Sequence, residues 1–121
     1  MQRGMWVAAT VVAAMGCNVV TSPDGGAGDV IVGNNFYKSA RNGSQNPAVD
    51  TVARGATVVW TWGSDGSHLI QSTGMVPAIF RNSVVFSTAN STYTVTFKNP
   101  GTYTYDCGAH GSAMTGVIVV H

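Results

Sequence analysis

Three side chains near the carboxyl terminus are of types that bind soft or borderline metal ions. Cys107, His110 and Met114 fall within the eight residues "CGAHGSAM", between two runs that alternate in hydrophobicity as strands do. Gly108 and Gly111 permit sharp bends in this stretch. A connection this short brings the three side chains into one small volume, which predicts a metal site. The alternative is that Cys107 is only a small buried hydrophobe, a common use of a free cysteine.

A fourth donor is available in "WTWGSDGSHLIQS", where His68 follows a strand-like run and a turn. In a two-sheet sandwich this loop can lie at the same end as residues 107–114, although an exposed loop histidine is the alternative. His121 is left out because chain ends usually fray. Calcium and magnesium prefer oxygen ligands, and structural zinc seldom uses methionine. Two imidazoles, a thiolate and a weak thioether are the ligand set of blue copper sites.

Alternating runs predict the strands that position these donors. In "GTYTYDC", Tyr103 and Tyr105 face the interior, and Cys107 shares their face because it lies two residues further along. No run has a convincing helical period, so we predict an all-β sandwich or barrel. Two other runs, "ATVVWTW" and "TYTVTF", alternate in the same way. Their larger apolar side chains share one face of each run, at Val58, Trp60 and Trp62 and at Tyr93, Val95 and Phe97.

The composition is that of a small β protein. With 121 residues, 45% hydrophobic and 9% charged, the chain is long enough for one domain with a modest core. The net charge is +1, and the basic residues are scattered, so nucleic-acid binding is not expected.

The amino-terminal segment predicts export. An apolar run over residues 5–15 is shorter than the about 20 residues that span a bilayer, and it fits a signal peptide. We predict a lipoprotein-type signal over residues 1–16, because "AAMGC" resembles a lipobox whose cysteine, Cys17, carries lipid. An ordinary cleaved signal with an incidental Cys17 is the alternative. Residues 17–28 predict a flexible tether, and residues 29–121 the folded domain.

The closing segment "GTYTYDCGAHGSAMTGVIVV" resembles the closing motif of the plastocyanin/azurin family of small blue copper proteins, the cupredoxins. The similarity covers nearly all of residues 29–121. It implies a Greek-key β-sandwich of seven to eight strands with one type 1 copper ion at one end. It also implies the copper ligands, which are His68, Cys107, His110 and Met114.

The sequence departs from the family pattern at two positions and in the length of the ligand loop, which is shorter than in plastocyanin or azurin. Leu69 stands where many members have an asparagine that ties the two ligand loops together. Ala109 stands where plastocyanins often have proline. We predict that the Ala109 N–H donates a hydrogen bond to the Cys107 thiolate and raises the reduction potential.

The resemblance implies a one-electron carrier. The amino-terminal segment predicts that this carrier lies in an extracytoplasmic space, periplasmic or at the cell surface, held to the membrane by lipid. We expect a monomer that is not an enzyme and docks transiently with a redox donor and acceptor. Electrons would leave through His110, and Gly74–Phe80 either contributes to an apolar docking face or is a covered loop. The alternative function is copper storage, delivery or sensing with the same ligands. A metal-free adhesion domain would make the four donors accidental.

Overall fold

The computed structural model describes residues 29–121, which form eight strands in two sheets. The predicted signal peptide, the tether and Cys17 lie outside these residues. No helix in the described part of the chain is long and apolar enough to cross a membrane. The strands are β1 (Val30–Gly33), β2 (Phe36–Ser39), β3 (Ala48–Val52), β4 (Ala56–Trp62), β5 (Gln71–Ser72), β6 (Thr92–Phe97), β7 (Gly101–Cys107) and β8 (Gly111–Val120).

The two sheets have four strands each, in the orders β2-β1-β4-β6 and β3-β8-β7-β5. The β1–β4 and β3–β8 pairs are parallel, and the other pairs are antiparallel. From β2 to β7 the chain crosses to the other sheet at every connection. Strands that are consecutive in this part of the chain are therefore not hairpin partners, and the parallel pairs form between strands that are distant in sequence. The predicted Greek-key sandwich of seven to eight strands is confirmed.

The alternation predicted from the sequence is found in the core. Every second side chain of β4 is buried, and Trp60 and Trp62 are completely so. The Trp60 ring stacks on Phe80 with centroids 5.8 Å apart and meets the edge of Tyr105 at 5.3 Å. Burying a side chain of this size contributes roughly 1.5–3 kcal/mol or more. This aromatic cluster holds the two sheets together.

The strand directions give the sandwich two distinct ends. We call the end where β4 and β7 finish, at Trp62 and Cys107, the metal end. The opposite end is where β7 begins at Gly101 and β8 finishes at Val120, which pairs with Gly101. β7 has 7 residues, so the two ends are about 20 Å apart.

The last strand begins within the segment that carries the donors. β8 starts at Gly111, which pairs with Cys107. The next paired residue is Thr115, opposite Asp106, so residues 112–114 form a bulge. A bulge redirects side chains without ending the strand, and here it turns Met114 into the core, where it is completely buried.

The carboxyl terminus is ordered, contrary to the expectation that it frays. The His121 N–H donates to the Val52 carbonyl at 3.1 Å, and the Arg54 N–H donates to the His121 carbonyl at 3.0 Å. These bonds fix His121 at the opposite end, so its exclusion from the site follows from its position rather than from fraying.

Candidate metal centre

Three of the predicted donors converge at the metal end. One ligand atom each from His68, Cys107 and His110 lies within 4.8 Å of the other two. Nδ1 of His110 is 3.3 Å from Sγ of Cys107, and Nδ1 of His68 is 3.8 Å from it. The two imidazole rings are 4.9 Å apart at their centroids. His68 and Cys107 are 39 positions apart in the chain, so the fold brings together donors from two distant segments.

Cys107 is placed by strand geometry. It is the last residue of β7 and is completely buried, and its same-face neighbours Tyr105 and Tyr103 are only 1% and 5% exposed. The inward direction predicted for the thiol is therefore confirmed. The side chain belongs to the buried core and has the two imidazole nitrogens beside its sulfur.

His68 is buried, with 2% of its surface exposed, so the alternative of an exposed loop histidine is wrong. Its backbone exchanges two hydrogen bonds with Phe86, at 3.1 Å and 3.0 Å. Gly66 lies against the imidazole, because a Cβ there would be only 3.0 Å from Nε2. These contacts fix the ring with Nδ1 toward Cys107.

The environment of His68 keeps its imidazole neutral. Burial, and then repulsion from His110, lowers the pKa of His68 below its ordinary value. A neutral imidazole is the form that binds metal, so no proton has to be displaced at neutral pH. Its Nε2 is buried and has no hydrogen-bond partner among residues 29–121.

His110 lies in the tight turn between β7 and β8. Its N–H donates to the Cys107 carbonyl at 2.9 Å, which closes the turn, and Gly111 follows with a positive φ of 57°. The His110 side chain is exposed, whereas its Nδ1 faces Cys107. This is the position expected for a group through which electrons leave.

The two ligand segments are tied together without the usual asparagine. The Leu69 side chain packs against Gly108, with methyl carbons 3.1 and 3.3 Å from the position of a Cβ there. Gln71 pairs with Asp106 across the same two segments. An apolar contact and a short β-ladder therefore replace the missing clamp.

Tyr37 is a contributor that the sequence reasoning missed. Its hydroxyl donates to the Leu69 carbonyl at 2.5 Å, and its ring meets Tyr105 edge-on at 4.9 Å. Burial, followed by the nearby charge of Cys107, raises the pKa of Tyr37 above its ordinary value, so the hydroxyl remains a donor. The tyrosine is completely buried and holds the residue after His68 in place.

Two sequence predictions about the metal end are not supported. No hydrogen bond joins the Ala109 N–H to Cys107 Sγ in the described part of the chain, where Sγ contacts the two histidines instead. Gly74–Phe80 does not lie at the metal end. Ala78 packs against Gly101, 3.8 Å from the position of a Cβ there.

The Gly74–Phe80 segment is only partly a covered loop. Phe80 packs on the core against Phe97, but Met75 and Val76 are 85% and 78% exposed. No pattern in the sequence separates the buried from the exposed positions, because the segment has neither the helical nor the strand period of hydrophobicity.

The residues present suit a copper ion. A buried cysteine sulfur and two imidazole nitrogens converge at the metal end, and no carboxylate joins the cluster within residues 29–121. Sulfur and nitrogen donors without oxygen favour copper or zinc over calcium or magnesium. Met114, buried in the bulge of β8, adds the thioether that structural zinc sites seldom use.

Comparison with known proteins agrees with this chemistry. The profile of a family described as copper binding proteins, plastocyanin/azurin family, matches residues 44–121. This matched region contains all four predicted donors.

Solved structures with the same fold include several copper proteins. A purple cupredoxin from Nitrosopumilus maritimus is 25% identical with a TM-score of 0.58, and the match covers 76% of this chain and 97% of that chain. An oxidised amicyanin variant is 25% identical with a TM-score of 0.59, covering 76% and 79%. A copper-containing nitrite reductase from Thermus scotoductus is 25% identical with a TM-score of 0.53, but the match covers only 19% of that chain.

Proposed function

Because the chain belongs to the plastocyanin/azurin family of copper-binding proteins, we propose that it is a one-electron carrier. Copper as the cofactor is confirmed by the family and by the donor cluster. The observation that carries the proposal is the approach of two imidazole nitrogens to one buried cysteine sulfur. When bound, copper supplies a Cu(II)/Cu(I) couple, which exchanges single electrons.

We assign His68, Cys107 and His110 as the three strong ligands and Met114 as a weak fourth. The support for Met114 is its complete burial in the bulge beside the other three. The backbone around the donors is held by the β7–β8 ladder, the His68–Phe86 bonds and the Tyr37 hydroxyl. A frame fixed in this way resists movement when an electron arrives or leaves, which keeps exchange fast.

The partner docks where the exposed His110 meets apolar surface. Val84 and Val85 are 69% and 56% exposed, and they directly precede Phe86, whose backbone is bonded to His68. They replace Gly74–Phe80 as the candidate apolar docking residues. A small face of this kind suits the weak, transient docking of redox partners.

Neither copper delivery nor enzymatic turnover gains support from the described residues. Delivery would favour additional exposed methionine or histidine near the site, but the others among residues 29–121 are Met75 and His121, both remote from the donors. The nitrite reductase resembles this chain over only 19% of its own length. That the protein is a monomer and not an enzyme stays a prediction.

The location is part of the proposal and rests on sequence alone. Residues 1–16 would direct export, Cys17 would carry lipid, and residues 17–28 would tether the domain outside the cytoplasm. Mass spectrometry of the mature protein tests this. An acyl mass on an amino-terminal Cys17 supports the lipid anchor, and an amino terminus at any other residue contradicts it.

Electron self-exchange tests the carrier function. Line broadening in NMR spectra of mixed Cu(I) and Cu(II) protein gives the exchange rate. We expect fast exchange, slowed by roughly tenfold or more in Val84→Asp, because like charges meet at the docking face. Thr102→Asp, which adds the same charge at the opposite end, is the control. Slow exchange in the unmodified protein, with ready release of copper, would support delivery instead.

A further inference from the structure

An apolar tip projects from the opposite end of the sandwich. It consists of Met75, Val76, Pro77 and Ile79, which lie in the long connection between β5 and β6. Met75, Val76 and Ile79 are 85%, 78% and 46% exposed, and Pro77 is exposed too. The tip is anchored by Phe80, whose ring packs on Trp60 and Phe97. Large apolar side chains exposed together in this way mark interaction sites.

Basic side chains flank the apolar tip. Arg81 and Lys98 are exposed and line, with Pro77 and Ile79, a shallow groove of about 290 Å³. The turn that carries the exposed Arg54 is adjacent, because the Gly55 N–H donates to the Phe97 carbonyl.

The acidic residues of the described chain lie elsewhere. Asp29 pairs with Arg41, which is the one ion pair within residues 29–121. Asp50 is buried beside Ser39, Asp65 bonds to the Ala89 N–H, and Asp106 is next to Cys107. The tip therefore presents apolar side chains and positive charge, with no aspartate of residues 29–121 bonded beside it.

We propose that the apolar tip docks on a membrane surface rich in anionic phospholipid. Met75, Val76 and Ile79 enter the boundary between headgroups and acyl chains, while Arg81 and Lys98 meet the phosphates. A stable protein partner would need roughly 800 Å² of matching surface, far more than a projection of four side chains offers. Docking at this end leaves the metal end, about 20 Å away, free for redox partners.

The surface is independent of lipid at Cys17 and of the copper ligands. Lipid at Cys17 would hold the chain at the membrane, and the tip would add a second contact that orients the domain. The tip acts in the same way if residue 17 carries no lipid.

Site-specific fluorescence on the full chain tests the proposal. The background is the copper-loaded Cys17→Ser protein, in which copper protects Cys107. An environment-sensitive fluorophore is attached in Val76→Cys at the tip, or in Ser64→Cys at the metal end. Each labelled protein is mixed with anionic vesicles of phosphatidylglycerol and phosphatidylcholine and, separately, with vesicles of phosphatidylcholine alone.

We expect a blue shift and quenching by nitroxide-labelled lipid for the label at position 76 with anionic vesicles, and neither change at position 64. Removing charge in Lys98→Gln or Arg81→Gln should weaken binding by about fivefold each. Lys38→Gln removes a charge outside the tip and serves as the matched control. The copper absorption spectrum should be the same in all of these variants.

Several outcomes would overturn the proposal. A label at position 76 that remains in water with both kinds of vesicle excludes insertion. Equal changes at positions 64 and 76 would show that another part of the chain brings the whole domain to the lipid. A shift at position 76 that depends on protein concentration without vesicles would mean that a second copy of the chain covers the tip.

Discussion

The two ends of the sandwich carry the same residue types in opposite circumstances. The metal end has His68 and Met114 buried, with Tyr37 bonded to the backbone beside them. The opposite end has His121 and Met75 exposed. It also has its own buried tyrosine, Tyr103, whose hydroxyl donates to the Asn99 carbonyl at 2.8 Å.

The difference shows that donor type alone does not make a site. Met75 has a thioether as good as that of Met114, but it lies at the opposite end from the cluster of imidazole and thiol groups found among residues 29–121. Burial, a fixed backbone and convergence on Cys107 distinguish the metal end. One histidine, one methionine and one tyrosine at the metal end therefore each have a counterpart at the opposite end that serves as a control.

The two histidine variants should show the largest difference, which is in how far copper raises the melting temperature. Copper that binds only the folded protein stabilises it, by about 4 kcal/mol at a concentration 1,000 times the Kd. His68→Ala removes a strong ligand and should lose most of the copper-induced rise in melting temperature, whereas His121→Ala should keep it. Differential scanning calorimetry with and without copper measures both. An unchanged rise in His68→Ala would remove this residue from the site.

Replacing each methionine by leucine should show whether Met114 is a weak, axial copper ligand or only packs in the core. Met114→Leu preserves volume but removes the sulfur that donates weakly to Cu(II), so we expect the reduction potential to rise by on the order of 59 mV or more, a tenfold change in relative affinity. Met75→Leu should leave the potential unchanged. Protein-film voltammetry gives both values, and equal potentials in the two variants would contradict an axial Met114.

Removing the hydroxyl of either tyrosine should cost a similar amount of folding stability, but only one of the two changes should affect the copper site. Each loss of a hydroxyl bond costs about 1 kcal/mol of folding stability, so Tyr37→Phe and Tyr103→Phe should be similarly destabilised in urea. Only Tyr37→Phe should also change the electron paramagnetic resonance spectrum of Cu(II), because the Leu69 carbonyl it holds adjoins His68. If both variants keep the unmodified spectrum, Tyr37 is structural only.

A buried carboxyl remote from the donors should affect stability without affecting copper. Burial raises the pKa of Asp50 above its ordinary value, although the Ser39 hydroxyl, donating at 2.6 Å, opposes this. The native state then holds the proton to higher pH than the unfolded state, whose carboxyl pKa is about 3.9. Asp50 therefore contributes a fall in stability as pH rises from that value through the native pKa.

Asp50→Asn should remove that contribution while leaving the copper spectrum intact. Urea unfolding of the two apoproteins at several pH values between 4 and 7 measures the difference between them. The variant should gain stability relative to the unmodified protein as pH rises. A constant difference across this range would show that Asp50 has an ordinary pKa.

The sequence could predict those parts of the site that depend on residues close together in the chain, and not those that depend on residues far apart. The direction of Cys107 follows from a two-residue period, which needs no tertiary information. The bulge at residues 112–114 was not predictable, because it is set by pairing with β7. The Tyr37–Leu69 bond was missed for the same reason, as its partners are 32 positions apart. The place of Gly74–Phe80 is fixed by packing of Phe80, which no local pattern shows.

The most direct test of the account is a titration of the copper-free protein with Cu(II), followed by optical absorption and electron paramagnetic resonance. We predict saturation at one equivalent, an intense thiolate-to-copper charge-transfer band and a small parallel hyperfine splitting. The charge-transfer band should be absent in Cys107→Ser. A colourless solution at one equivalent, or a band that survives in Cys107→Ser, would contradict the assignment of this cluster as the copper site.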